Sequence, residues 1–227
     1  KIRSLAFDEG VVVPADCEGL FRNMSELTEL DIKGLDWSQV TNMSRMFDYC
    51  CSLHEIDLSG MNTANVTNMS SMFADCYGLE RIDLSGFDTH NVTDMRHMFS
   101  GCNAVTNINM SGWNTQNVTD MSEMFYWCRK LETLDLRNWK TGNVKNMSGM
   151  FHGCESLSNL EISGIDTTNV TDMSNMFRNC RSIATLDLRS FVTPALVNVR
   201  SMFRECSELE TLNISGFDST SIEHVSY

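Results

Sequence analysis

Apolar and polar residues along the chain follow two alternating rhythms. In Leu79-Glu-Arg-Ile82-Asp-Leu84-Ser, Ile82 and Leu84 point one way while Arg81, Asp83 and Ser85 point the other. A period of two marks a short strand with one buried face. In Asp94-Met95-Arg-His-Met98-Phe99-Ser-Gly-Cys102 the apolar residues fall at i, i+3, i+4 and i+7. That spacing predicts a two-turn helix with one apolar face, capped by Asp94. Asn68, Asp120, Asn146 and Asp172 hold the same place in other copies. So short a helix must lean on its neighbours. Between the two rhythms, Gly86-Phe87-Asp-Thr-His-Asn-Val92-Thr reads as a turn ending in a buried valine.

Both rhythms recur every 26 residues without a break in register. Cys50, Cys76, Cys102, Cys128, Cys154, Cys180 and Cys206 mark the step, as do the Met-Phe pairs from Met46-Phe47 to Met202-Phe203. So strict a period means stacked units forming a quasi-one-dimensional solenoid. Strands one period apart would pair in parallel, about 4.8 Å apart, the rest of each unit supplying the crossover. Eight strand segments can be counted, centred from Asp31 to Asn213. Residues 1–26 read as an N-terminal cap or degenerate repeat, and 27–227 as tandem 26-residue repeats with the last incomplete. Ile2, Leu5 and Phe7 suggest a first strand shifted by one from the later register. Ile222 and Val225 begin a further unit that stops at Tyr227, so exposed apolar surface, with missing downstream sequence or an end-on contact, is expected there.

Composition changes this picture little. Of 227 residues, 30 are acidic and 17 basic, a net charge of −13 that disfavours nucleic acid and anionic membrane as partners. No apolar run approaches the roughly 20 residues of a membrane span, and no signal peptide is visible at Lys1-Ile-Arg-Ser. The nine cysteines would ordinarily suggest disulfides, but seven share one column. They read as a buried ladder of free thiols, with Cys17 in the column of Met43 and Met69, and Cys51 outside the pattern.

The unit Leu-x-x-Ile/Leu-Asp-Leu-Ser-Gly-x-Asp-Thr-x-Asn-Val-Thr-Asp-Met-Ser-x-Met-Phe-x-x-Cys, best matched by Leu157 to Cys180, resembles the BspA-like leucine-rich repeat of bacterial surface proteins and mycoplasma surface lipoproteins. The resemblance covers roughly residues 17 to 225 and places the chain in the 26-residue class. It implies an α/β repeat solenoid: a right-handed coil with a parallel sheet on one face and short helices on the other. It also implies an extracellular or cell-surface location and adhesion to host or matrix proteins. Self-assembly as a stalk or coaggregation module, with end-to-end association, and carbohydrate binding are the alternatives. The shared residues are scaffold, so no ligand site follows from the family.

Candidate binding residues come from the outward columns. Asp31, Asp57, Asp83, Asn109, Asp135, Glu161, Asp187 and Asn213 form one. It reads either as an acidic stripe for a cation or basic ligand, or as a structural ladder of carboxylates held by nearby hydroxyls and amides. Its flanks vary from unit to unit and bring Arg81, Arg137 and Arg189 to the same face, which suits recognition of an extended protein. Tyr49, Tyr77, Tyr126 and Trp127 lie near the end of the Met-Phe segment, either exposed as binding residues or draped over neighbouring turns. The column from Leu35 through Trp113 and Trp139 to Phe217 is uniformly apolar and reads as core. An enzyme is not expected. The five histidines occupy five different columns, and His152 and Cys154 are two apart, on different faces of a helix. Only the adjacent pair Cys50-Cys51 could suggest a thiolate metal site, and no Gly-rich phosphate loop is present, so no cofactor is implied.

Overall fold

The computed structural model of the chain describes residues 1–225. The chain winds as a parallel β-solenoid. Backbone bridges join Asp16 to Asn42, Asn42 to Asn68, and so on through Asn198 to His224, each spanning one 26-residue step. The strands are β1 (Ser4–Ala6), β2 (Val11–Val12), β3 (Glu29–Asp31), β4 (Leu35–Asp36), β5 (Arg81–Asp83), β6 (Asn107–Asn109), β7 (Thr133–Asp135), β8 (Asn159–Glu161), β9 (Thr185–Asp187) and β10 (Thr211–Asn213). All pairs are parallel: β1 with β3, β2 with β4, β5 with β6, β7 with β8 and β9 with β10. The first pair matches Ser4 to Glu29, one residue short of the later 26-residue offset, as the shifted Ile2-Leu5-Phe7 spacing suggests. Two expectations change. The segment around Asp57 is not a strand, and the sheet is a series of separate pairs rather than one continuous ladder.

The larger correction concerns the helices: among the described residues there are none. Residues His97 and Gly101 adopt φ of +56° and +76°, which no α-helix accommodates. The Met98 amide closes a turn on the Met95 carbonyl at 3.3 Å, and the Cys102 amide closes another on Phe99 at 3.1 Å. Two successive turns with a left-handed third residue, of the type II kind, keep the i, i+3, i+4, i+7 apolar spacing without a helix. The amides in between are released to the next rung. Met95 donates to Asp120, His97 to Ser122, Phe99 to Met124 and Gly101 to Tyr126, at 2.7–3.1 Å. A two-turn helix is marginal alone, whereas these bonds tie each rung to its successor. Asp94 does cap, but as an Asx turn: its Oδ1 accepts from the Arg96 amide at 3.0 Å, as Asn68, Asp120, Asn146 and Asp172 do two residues on.

The core is built of columns. Phe21, Phe47, Phe73, Phe99, Phe125, Phe151, Phe177 and Phe203 stack with centroids 5.3–5.9 Å apart and planes within 17°. The Met columns on either side are buried, and so is the apolar column from Leu35 to Phe191. Cys17 and six of the seven ladder thiols are buried and all nine cysteines are unpaired; Cys206 and Cys51 are half-buried. A second, polar column runs inside the coil. Thr63, Thr89, Thr115, Thr141, Thr167 and Thr193 are buried; the Thr167 hydroxyl donates to the Val192 carbonyl, and each of the others serves one residue of the next rung twice. Thr115 Oγ1 donates to the Lys140 carbonyl at 3.2 Å and accepts from the Lys140 amide at 2.8 Å. On the last described rung, Ile214 and Val225 are exposed. The expectation attached to Tyr227 lies outside the described residues.

Candidate interaction surface

Arg81, Asp83, Asp135 and Asp187 face outward on the strands, and Asp57, Arg137 and Arg189, in the repeat columns beside them, are exposed as well. Strand alternation achieves this, burying Ile82, Leu134 and Leu186 between exposed neighbours. The acidic column is locally satisfied. Asp57, Asp83, Asp135 and Asp187 each accept from the backbone amide two residues on, at 3.0–3.1 Å. Asn109 lays its amide on the Asp83 carboxylate at 3.0 Å, so that two anions do not meet on adjacent rungs. Lys33 pairs with Asp57 at 2.9 Å, Arg137 with Asp135 at 2.6 Å and Arg189 with Asp187 at 2.6 Å. Hydrogen bonds from Arg137 hold the Asp135 carboxyl down at about 2. Those from Ser59 and Lys33 hold Asp57 well below the ordinary carboxylate range. This geometry is that of the structural ladder, yet the carboxylates stay about half exposed and open to a partner.

The aromatic residues form a separate cluster. Tyr126 and Trp127 are half-buried, whereas Tyr49 and Tyr77 are exposed. Trp127, at φ +55°, lies over Gly153 of the next rung, where a β-carbon would come within 2.7 Å of the indole. Arg129 stacks on the indole at 4.5 Å, and Tyr126 meets His152 edge-on at 4.9 Å. Burial and the nearby Arg178 push the His152 imidazole down to about 4. Asp75, Tyr77, Asn103, Trp127 and Arg129 line a shallow hollow of about 210 Å³. The structure therefore drapes Tyr126 and Trp127 over neighbouring turns and does not join them to the strand face.

The sequence reading passed over one column. Residues 34, 60, 86, 112, 164 and 216 are Gly, but the equivalent residues in two rungs are Asn138 and Ser190. A β-carbon on Gly164 would collide with the Arg137 carbonyl, and one on Gly216 with that of Arg189. The signal was present as Ser-Gly changing to Arg137-Asn138 and Arg189-Ser190. Among the described residues no three His, Cys, Asp or Glu side chains converge as a metal site requires, and no helix is long and apolar enough to cross a membrane.

Stacked parallel rungs, a 26-residue period and outward-facing strand residues define a leucine-rich-repeat solenoid. The chain belongs to the family described as "Mycoplasma protein of unknown function, DUF285", which matches residues 15–133 and again 119–227. Among solved structures, a leucine-rich repeat protein from Eubacterium ventriosum is similar at 14% identity and a TM-score of 0.56, over 90% of this chain and 59% of that one. The chain thus spans less than two thirds of that protein's length. A Treponema pallidum leucine-rich repeat protein matches at 17% identity and a TM-score of 0.36, covering 80% of this chain and 72% of its own. A Bacteroides ovatus one matches at 16% and 0.29, covering 99% and 74%. No curated protein matches the chain. The first of these likenesses agrees with the leucine-rich-repeat resemblance at the level of fold.

Proposed function

We propose that this chain is a non-catalytic binding module that acts at or outside a bacterial cell surface and recognises a host or matrix protein through its strand face. One observation carries the reading: the inward columns are uniform from rung to rung while the outward ones vary. Glu29, Glu55, Arg81, Asn107, Thr133, Asn159, Thr185 and Thr211 occupy one outward column, and Lys33, Ser59, Ser85, Ser111, Arg137, Ser163, Arg189 and Ser215 another. Uniform interiors stabilise a stack, and varied exteriors give a broad surface its specificity. The test is immobilised binding to a panel of matrix proteins and to host-cell surfaces. Binding should be lost in a combined Arg81→Glu, Arg137→Glu, Arg189→Glu variant that still folds. Absence of binding across the panel would remove the reading.

A second reading is a self-assembling stalk in which the repeats stack end to end; it requires light scattering to grow with concentration.

A further inference from the structure

The column two residues after each core phenylalanine is left-handed throughout, with φ between +55° and +78°. Asn23, Asp75, Gly101, Gly153 and Asn179 suit that conformation. The bulky indole of Trp127 does not, and it is held there at a conformational cost. Glycine makes the room on the next rung. Gly153 leaves space for the indole, and Gly101 for Asp75, whose Oδ1 a β-carbon at Gly101 would strike. Both side chains lean toward the following rung, so Trp127 turns away from Gly101 and leaves the surface over it open. The shallow hollow of about 210 Å³ lies there.

Consecutive rungs supply its walls. Asp75 and Tyr77 stand on one side, Gly101 and Asn103 lie between, and Trp127 and Arg129 stand on the other. Asn103 Oδ1 is buried and has no hydrogen-bond partner among the described residues. A buried acceptor left so calls for a donor. The Arg129 guanidinium lies over the indole at 4.5 Å. Its side chain makes no hydrogen bond or ion pair among the described residues, so its donors are free. The coil does not require this set of residues. The column of Asp75 holds Gly101 and Gly153 on other rungs, and the column shared by Tyr77 and Arg129 holds Ser25 and Ser207.

We infer that this hollow binds one ring of a neutral carbohydrate, at a site apart from the strand face. Asp75 repels an anion and Arg129 repels a cation, and both line the same hollow, so an uncharged ligand is favoured. Asp75 and Asn103 Oδ1 only accept, while Arg129 only donates, so that ligand must offer donors and acceptors side by side. Sugar hydroxyls do both, and a neighbouring pair can bridge the carboxylate and the guanidinium. The size agrees, since the hollow falls below the roughly 300 Å³ at which pockets for drug-sized ligands begin. Tyr77, exposed and met edge-on by Tyr49 at 5.8 Å, gives the apolar face of the ring a surface to lie on. An extended peptide running along the coil would be stopped by Tyr77 on one side and Trp127 on the other. The site goes beyond the protein-binding reading and does not rest on it.

The test is a glycan array probed with the intact chain. It carries neutral oligosaccharides ending in galactose, glucose, mannose or fucose, beside sialylated and sulfated ones. Each hit is then titrated into the isotope-labelled chain as the methyl glycoside of its terminal sugar. The expected result is binding to neutral glycans, with NMR shifts at the Asn103 side-chain amide, the Trp127 indole and the Gly101 backbone. Three variants introduce residues that the coil already carries in the same columns: Asp75→Gly, Tyr77→Ser and Arg129→Ser. Each should melt like the parent and bind about tenfold more weakly. Because the shifts are read on the parent chain, they locate the site even where a variant fails to fold. Binding only of sialylated or sulfated glycans, no binding of any neutral glycan, shifts elsewhere on the molecule, or affinity unmoved in the folded variants would each overturn the inference. A matrix protein released by Asp75→Gly and Arg129→Ser, with no glycan bound, would overturn it too and give the hollow to a protein ligand.

Discussion

The thiol of Cys102 donates to the backbone carbonyl of Phe73, 29 residues earlier on the preceding rung, at 3.1 Å. The same bond recurs from Cys50 to Phe21, Cys76 to Phe47, Cys128 to Phe99, Cys154 to Phe125, Cys180 to Phe151 and Cys206 to Phe177. The ladder cysteines thus pack as small apolar groups and also donate to a carbonyl that already closes its own rung's turn, filling its second lone pair. Burial pushes the Cys50 thiol up to about 12 and raises Cys102, Cys128 and Cys180 well above the ordinary thiol range.

Reactivity should follow from this. In the native state an aromatic disulfide reagent should modify Cys51 first, since it is half-buried and off the ladder. Cys206, held at about 11, should follow slowly, and the inner thiols only on unfolding. Rapid native labelling of Cys102 or Cys128, read by peptide mass spectrometry, would contradict the ladder.

The buried threonine column gives a paired substitution. Thr115→Val keeps the shape but strands both the amide and the carbonyl of Lys140, which should cost about 1–3 kcal/mol. Thr115→Ser keeps both bonds and should cost less than about half of that. Urea unfolding of the two variants separates lost bonding from lost methyl packing. Equal losses would mean that the hydroxyl contributes little.

The glycine column should respond unequally to alanine. Gly164→Ala drives a β-carbon into the Arg137 carbonyl and should destabilise by about 1–3 kcal/mol or force β7 and β8 apart. Gly86→Ala meets nothing within 4 Å and should change stability by less than about 0.5 kcal/mol. Thermal melts of both variants check the contrast.

His152 should make stability depend on pH. Burial lowers its folded value to about 4 from an ordinary 6.5. Above 6.5 the ring is neutral in both states, so its contribution is complete there. As pH falls from 6.5 toward 4, the unfolded chain takes a proton that the folded chain refuses, and stability is lost. Because half of the ring faces solvent, the loss should be about 1–2 kcal/mol. Denaturant unfolding across this window should show that slope in the parent chain and a flatter one in His152→Gln.

The stack was legible because a solenoid repeats its core literally: Cys, Met and Phe recur at one step, and each column stays inside. The strands were legible where Ile82 and Leu84 alternate with charge. The helix was misread because two consecutive turns with a left-handed third residue reproduce the apolar spacing of a helix. Clues existed at Gly19, Gly149 and Asn175, and at Asn23, Asp75, Gly101 and Gly153, residues tolerant of positive φ, but His97, Tyr49 and Trp127 sit in the same columns and hide them. The threonine column looked like loop polarity, because its partners lie 25 residues away, where no local pattern can show them. On the candidate surface, the charged strand face was readable from alternation. The grouping of the strands into separate pairs was not, since it depends on backbone bonds between rungs that no local pattern can show.

Scalar couplings across hydrogen bonds, measured by NMR on the isotope-labelled chain, probe the Met-Phe segment most directly. They should link the His97 amide to the Ser122 carbonyl and the Phe99 amide to the Met124 carbonyl, one rung onward. Couplings from Phe99 back to Met95, four residues earlier, would mean that a helix stands where rung-to-rung bonds are described, and the account of how this coil holds together would fail.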